Sequence, residues 1–374
     1  MAEPFQVRVS DAEIAELRDR LSRTRWPDPE TVDDWSQGVP LDYLRELCRE
    51  WAEDYDFGFA ARVNVFPQFT TTLDGLGVHF LHVRSAEPDA LPLVITHGWP
   101  GSVLEFLDVI GPLTDPRAHG GDAADAFHVV VPSLPGFGWS DKPPRTGWSL
   151  ARIATAWNEL MLSLGYERYG AQGGDWGSGV TNALAAVAPE RLAGVHVNLA
   201  TVPMFDASLG EYTPEETEAL EEITKFRETG MGYSTQQATR PQTLGYGLTD
   251  SPAGQAAWIV EKFHAWTDNK GLPEDALSRQ QILDAISVYW FTASATSSAR
   301  TYWENNLRDT AKVSVPAGVS IFPREIIRPS RRQVELRYSD LRWYEQPPHG
   351  GHFAACEQPE AFVEQLRGFF RLVR

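Results

Sequence analysis

The sequence predicts an α/β fold: a mostly parallel, doubly wound sheet with a helical insertion in its second half and a helical extension at the N-terminus. Three observations lead there. Short apolar runs alternate with helical patterns from residue 69 onward, the order that builds βαβ units. A glycine-rich turn, Gly173-Gly174-Asp175-Trp176-Gly177, joins one such run to a helical segment of small residues at 178–187. Residues 201–305 then lack strand signals and are rich in helix formers and aromatics.

The N-terminal extension covers residues 1–67. Ser10 can cap a helix in which Ile14, Leu17 and Leu21 share a face. Residues 42–51 read as a second helix with Leu44, Leu47 and Trp51 on its apolar side. The first half of the core covers 68–200. It starts with strands at 69–73 and 78–83, turned through Asp74-Gly75 as a hairpin. Further strands are expected at 93–96, 127–132, 168–173 and 193–199, apolar runs suited to burial on both faces. The helical cap covers 201–305. The second half of the core covers 306–374 and resumes with the apolar run 315–322. A chain of 374 residues exceeds one ordinary domain but suits an elaborated single core.

Composition narrows the function. Hydrophobic content of 42% suffices for a large core, and no apolar run approaches the ~20 residues of a membrane span. The first residues, Met-Ala-Glu-Pro-Phe-Gln, lack the basic and apolar regions of a secretion signal. Cys48 and Cys356 are far apart and make no disulfide framework, so a reduced, cytoplasmic chain is expected. The net charge of −18 argues against nucleic acid and anionic membranes as partners. No zinc spacing and no phosphate-binding loop occurs, so neither metal nor organic cofactor is expected. Oligomeric state stays open between monomer and homodimer.

The glycine-rich turn carries the chemistry. Strand, sharp turn and helix in that order make a nucleophile elbow. Small residues flank its centre because the backbone is strained and strand and helix pass closely. The centre normally holds Ser; here it is Asp175. A carboxylate cannot form an acyl-enzyme from an ester as Ser does. It can displace a leaving group at an sp³ carbon and form an alkyl ester with the substrate. Epoxide opening and carbon–halogen cleavage head the reactions this permits. The bland alternative is a turn with a surface Asp.

Other residues complete the set. The run 92–96 ends in His97-Gly98-Trp99-Pro100-Gly101-Ser102. Such a turn supplies one backbone N–H of an oxyanion hole, here that of Trp99, and the residue after the nucleophile, Trp176, supplies the other. His97 is expected only to pin its loop. Gly350-Gly351-His352-Phe353 presents an imidazole on a loop near the C-terminus. An acid must orient His352. Glu325, just past the strand at 315–322, is the best placed, on the sheet edge where α/β sites form. Asp340 precedes the next strand and belongs at the wrong end; Glu345 remains a competitor nearer the His352 loop.

Together these motifs resemble an epoxide hydrolase of the microsomal type within the α/β-hydrolase superfamily. The resemblance rests on His97-Gly98-Trp99-Pro100, Gly173-Gly174-Asp175-Trp176-Gly177, Phe322-Pro323-Arg324-Glu325 and Gly350-Gly351-His352-Phe353-Ala354-Ala355. It extends to the N-terminal segment through Arg25-Trp26-Pro27 and so spans nearly the whole chain. It implies a two-step, cofactor-free hydrolysis with two tyrosines holding the epoxide oxygen. By motif match these are Tyr233 in Thr229-Gly230-Met231-Gly232-Tyr233 and Tyr302 in Arg300-Thr301-Tyr302-Trp303-Glu304-Asn305. The membrane-anchoring N-terminal helix of the eukaryotic enzymes has no counterpart in this sequence. The expected partners are a small epoxide, apolar and aryl-substituted to suit the aromatic cap, and water. Two rivals are a haloalkane dehalogenase, which needs Trp or Asn halide donors in place of the tyrosines, and an inert ligand-binding protein of the same fold.

Overall fold

A computed structural model describes residues 2–305 and 311–374. Nine strands form one sheet: β1 (Glu3–Phe5), β2 (Gln68–Leu73), β3 (Leu76–Val83), β4 (Leu91–Thr96), β5 (Phe127–Pro132), β6 (Tyr169–Gly173), β7 (Leu192–Val197), β8 (Ala317–Ser320) and β9 (Leu341–Glu345). Their spatial order is β1-β2-β3-β5-β4-β6-β7-β8-β9. The first three pairings are antiparallel, and every pairing from β5 to β9 is parallel.

This order contains a reversal. From β4 the chain steps to β5 on one side, then returns to β6 on the other. Right-handed crossovers therefore put the helix Leu107–Thr114 on one face and the helices Leu150–Ser163 and Asp175–Val187 on the opposite one. The C-terminal helix Pro359–Phe370 packs beside Leu107–Thr114. Loops leaving β4 and β6 diverge at their C-terminal ends, and such a switch point is where open α/β sheets bind ligands. The central strands are buried along both faces, with Leu93, Val94, Ile95, Val129, Val130, Val131, Val195 and Val197 at 0% exposure. This explains why they read as unbroken apolar runs rather than as alternating patterns.

The N-terminal extension corrects the expectation of a purely helical segment over 1–67. Glu3–Phe5 is a strand, pairing antiparallel with β2 through Pro4 and Phe69. A three-residue strand containing Pro has no periodic signal; it forms because β2 would otherwise leave an open edge. The helix Asp11–Ser22 starts where Ser10 predicted, with a capping box closed by Glu13. The helix Leu41–Glu53 buries Leu47 and Trp51.

No strand lies between β7 and β8 among the described residues. Helices fill this stretch, including Pro214–Thr229, Gly232–Thr239, Pro241–Asp250, Pro252–Trp266, Arg279–Phe291 and Ala295–Glu304. The expected junction between cap and second core half, at 305/306, borders residues 306–310, which lie outside the described residues. The extension grips these helices. Trp51 Nε1 donates to Ser287 Oγ at 2.8 Å, Tyr55 OH to Asp284 Oδ1 at 2.6 Å, and Arg62 Nε to Asp284 Oδ2 at 2.8 Å. Trp51 is fully buried, and covering a side chain of that size contributes roughly 2–3 kcal/mol. Its indole N–H would cost much of that if left unpaired, which Ser287 prevents.

Candidate active site

The site forms at the switch point. β6 ends at Gly173, Gly174 remains extended, and Asp175, the first residue of the helix, takes φ 46°. A non-glycine residue in this left-handed region costs about 1–3 kcal/mol and persists only where its surroundings hold it. The flanking glycines are needed for space. A Cβ at Gly177 would lie 1.9 Å from the Thr96 carbonyl oxygen, and one at Gly98 would lie 2.2 Å from Asp175 Oδ1. The turn thus pushes the Asp175 carboxyl out of the sheet edge and against the loop leaving β4.

That loop answers with a donor. The Trp99 N–H donates to Asp175 Oδ1 at 2.8 Å. The Trp176 N–H lies in the first turn of the helix, where no carbonyl one turn earlier within the helix can receive it. His97 pins the loop as expected. Its Nδ1 donates to Gly98 O at 3.0 Å and its Nε2 accepts from the Leu134 N–H at 3.1 Å. Burial holds this imidazole down at about 4, so it is neutral and serves both bonds at once.

His352 approaches from the other side. Its Nε2 is 3.6 Å from Asp175 Oδ2, and its Nδ1 donates to Glu325 Oε1 at 2.7 Å. Glu325 Oε1 also accepts the Ile326 N–H at 2.7 Å. The two loops are tied together by the Arg324–Gly351 bridge, and the His352 N–H donates to Trp266 O at 2.9 Å. All three side chains are enclosed: Asp175 is 7%, Glu325 3% and His352 6% exposed. Burial alone would lower the His352 pKa. The Glu325 and Asp175 charges and their hydrogen bonds more than offset it, holding the imidazole well above its ordinary value.

The competing acids fall elsewhere. Asp340 precedes β9, at the opposite end of the sheet, and pairs with Arg342. Glu345 ends β9 and is exposed.

Tyr233, in Gly232–Thr239, and Tyr302, in Ala295–Glu304, come together above the same tryptophans. Tyr233 stacks on Trp99 with ring centroids 5.2 Å apart; Tyr302 meets Trp176 edge-on at 4.7 Å and Trp99 at 5.8 Å. The Tyr302 hydroxyl and the Trp176 Nε1 are both buried and lie beside one another, with the Tyr233 hydroxyl close by. Burial first, and the Asp175 charge with it, raises both phenols above their ordinary value. Both therefore stay protonated as donors. Among the described residues no group of His, Cys, Asp and Glu is arranged to hold a metal ion.

Comparisons with known proteins bear on the family and the fold. The epoxide hydrolase N terminus model matches residues 2–106, and the alpha/beta hydrolase fold model matches residues 92–226. A Stigmatella aurantiaca protein assigned as an epoxide hydrolase is 55% identical, over 99% of this chain and 85% of its own. Epoxide hydrolase 1 of Sus scrofa is 36% identical over 99% of this chain and 88% of its own. The chain belongs to the microsomal-type epoxide hydrolase family. The crystal structure of juvenile hormone epoxide hydrolase from Bombyx mori superposes with a TM-score of 0.91 at 32% identity, covering 100% of this chain and 95% of that one.

In this epoxide hydrolase family member the aromatic cap residues are not all core, and sequence reasoning did not separate them. Trp266 packs its ring against His352 and Trp99, with centroids 5.1 and 6.2 Å apart, besides receiving the His352 N–H. Lys262 is buried with Nζ 4.3 Å from the Tyr233 ring centre. Neither has a sequence signal beyond helical spacing. Among the described residues no helix is long and apolar enough to cross a membrane.

Proposed function

We propose that this protein hydrolyses an apolar, aryl-substituted epoxide to a vicinal diol through a covalent ester on Asp175. The observation that carries this is the pairing of Asp175 with Trp99 N–H on one oxygen and His352 on the other. Oδ1 is thereby held by a backbone N–H, while Oδ2, 3.6 Å from His352 Nε2, is the oxygen that attacks.

In the first step Asp175 attacks a ring carbon and the C–O bond of the epoxide breaks. Tyr233 and Tyr302 donate to the developing alkoxide, and one of them passes it a proton. Ester formation removes the Asp175 charge. With it goes one of the two carboxylates that hold His352 protonated, so the imidazole gives up that proton, which replaces the one the tyrosine lost, and stands neutral at the stage that needs a base. His352, oriented by Glu325, then takes a proton from a water that attacks the ester carbonyl carbon. The oxyanion is held by the Trp99 and Trp176 N–H groups. Collapse frees the diol. The aromatic walls Trp99, Trp266, Tyr233 and Tyr302 support an aryl substituent.

The buried indole N–H of Trp176 favours a second reading, since such a group can also hold a halide. The paired tyrosines and the relatives' names weigh toward the epoxide.

One experiment addresses the nucleophile. Single-turnover hydrolysis of styrene oxide in ¹⁸O-water is expected to leave the diol's new oxygen unlabelled, because it comes from Asp175. Mass spectrometry of enzyme quenched in turnover is expected to find the adduct on the peptide carrying Asp175, and Asp175→Asn to abolish both. A labelled diol in the first turnover would exclude the ester.

A further inference from the structure

Glu105 is a carboxyl beside this site for which the two-step mechanism has no task. It belongs to the short turn Val103–Phe106 that follows the Trp99 loop. A Glu three residues after a capping Ser can close a turn, and the Ser102 N–H does reach the Glu105 carboxyl. An exposed side chain would serve that purpose without desolvation. Here the carboxyl is turned inward, and the backbone makes room for it. A Cβ at Gly101 would lie 1.2 Å from Glu105 Oε1. The Gly101 carbonyl is in turn fixed by the Tyr289 hydroxyl, which donates to it at 3.0 Å. Burial pushes the Glu105 carboxyl up to about 8, against the pull of His352 and with the push of Asp175.

A cavity of about 20 Å³ is bounded by Glu105, Asp175, His352 and Asn198, with Phe106 and Phe362 among its apolar walls. One water needs roughly 10–15 Å³ and two to four polar partners. Both conditions are met, by the same groups between which the hydrolytic water must sit. Asn198 Oδ1 is engaged by Gln172 Nε2 at 2.9 Å, which leaves the amide donor for another partner. Glu105 also lines a surface groove of about 360 Å³ beside Leu104, Phe263 and Leu277. Lining both, it stands between the cavity and the groove.

We propose that this cavity seats the hydrolytic water and that Glu105, with Asn198, orients it between His352 and the carbonyl carbon of the Asp175 ester. The inference rests on the reading of Asp175 and His352 given above. In the step, the water oxygen bonds to Cγ of Asp175 and one water proton passes to His352 Nε2. The carbonyl electron pair moves onto the oxygen held by the backbone N–H groups. Collapse breaks the ester C–O bond, and His352 returns its proton to the departing diol oxygen. Glu105 accepts a hydrogen bond from the second water hydrogen and keeps its own protonation state. The carbonyl oxygen of a neutral carboxyl can do this, and so can a Gln side chain.

The test is transient kinetics with styrene oxide on Glu105→Gln and Glu105→Met, following ester formation and ester hydrolysis separately. Ester formation is expected to stay within about twofold of wild type in both, while hydrolysis slows ~3- to 10-fold in Gln and ~100-fold in Met. Because the ester then accumulates, kcat and KM should fall together and kcat/KM should hold. A merely structural role would slow both steps and lower kcat/KM. Wild-type hydrolysis in both variants, or equal loss of both steps, overturns the proposal. If Met does not fold, unchanged hydrolysis in the near-isosteric Gln variant suffices to overturn it. Absence of any ester in wild type would instead remove the Asp175 reading itself.

Discussion

Removing one oxygen atom from Tyr302 should slow ester formation far more than it destabilises the fold. The Tyr302 side chain is 6% exposed, and its hydroxyl lies beside Trp176 Nε1 and the Tyr233 hydroxyl, its hydrogen-bonding neighbours. Losing a neutral contact of this kind costs about 0.5–1.5 kcal/mol. The ring itself keeps its edge-on contacts with Trp176 and Trp99 in Phe. Tyr302→Phe should therefore lower the free energy of unfolding by no more than about 1.5 kcal/mol. If the hydroxyl is aimed at the epoxide oxygen, the same change removes a transition-state donor worth ~2.7–4 kcal/mol, slowing ester formation by ~100- to 1000-fold. Stopped-flow measurement of ester formation, with denaturant unfolding on the same preparations, reads both quantities. Ester formation within twofold of wild type would make Tyr302 ordinary cap core. A fall in stability of more than about 3 kcal/mol would make the side chain chiefly structural.

The half-reactions should separate at His352. His352→Gln is expected to give a burst of at most one equivalent and a trapped ester, and Glu325→Gln a weaker form of the same defect, both read by quench-flow and intact mass; an unimpaired Glu325→Gln would remove Glu325 from the site. Stability should also carry a His352 signature in pH. A group whose native pKa is raised contributes fully below its unfolded value of ~6.5, and that contribution drains away as pH rises through the native value. With His352 held well above the ordinary range, the stability advantage of wild type over His352→Gln should be largest below about pH 6.5 and shrink at higher pH. Denaturant titrations from pH 6 upward would refute this if the advantage grew.

Local chemistry was legible where one short segment contains the whole reason. The elbow is such a case. The strained φ of Asp175 is encoded in Gly173 to Gly177 and the run before it, whereas the contact of Gly177 with Thr96 joins a helix and a strand far apart in sequence. Ser10 marked its helix start because an N-cap bond spans three residues. β1 was not legible, since its pairing with β2 joins residues more than sixty positions apart and leaves no periodicity in three residues. Glu325 could be preferred over Asp340 from position relative to the strands while Glu345 stayed a competitor; the Arg324–Gly351 bridge joins the two loops, with Glu325 Oε1 2.7 Å from His352 Nδ1.

By itself the sequence determined the sheet-and-cap layout, the Asp at the elbow, the His on its glycine turn and the family resemblance, because periodicity, turn chemistry and contiguous motifs are local. The tertiary structure alone decided that the two motif-matched tyrosines pack on Trp99 and Trp176, that Trp266 backs His352, and that Glu105 turns inward beside a water-sized cavity. Those outcomes depend on how separate elements pack and which charges share one desolvated space. Helical spacing is the same for a core aromatic and for one that lines a site, and a Ser-x-x-Glu turn looks alike whether its carboxyl meets solvent or His352.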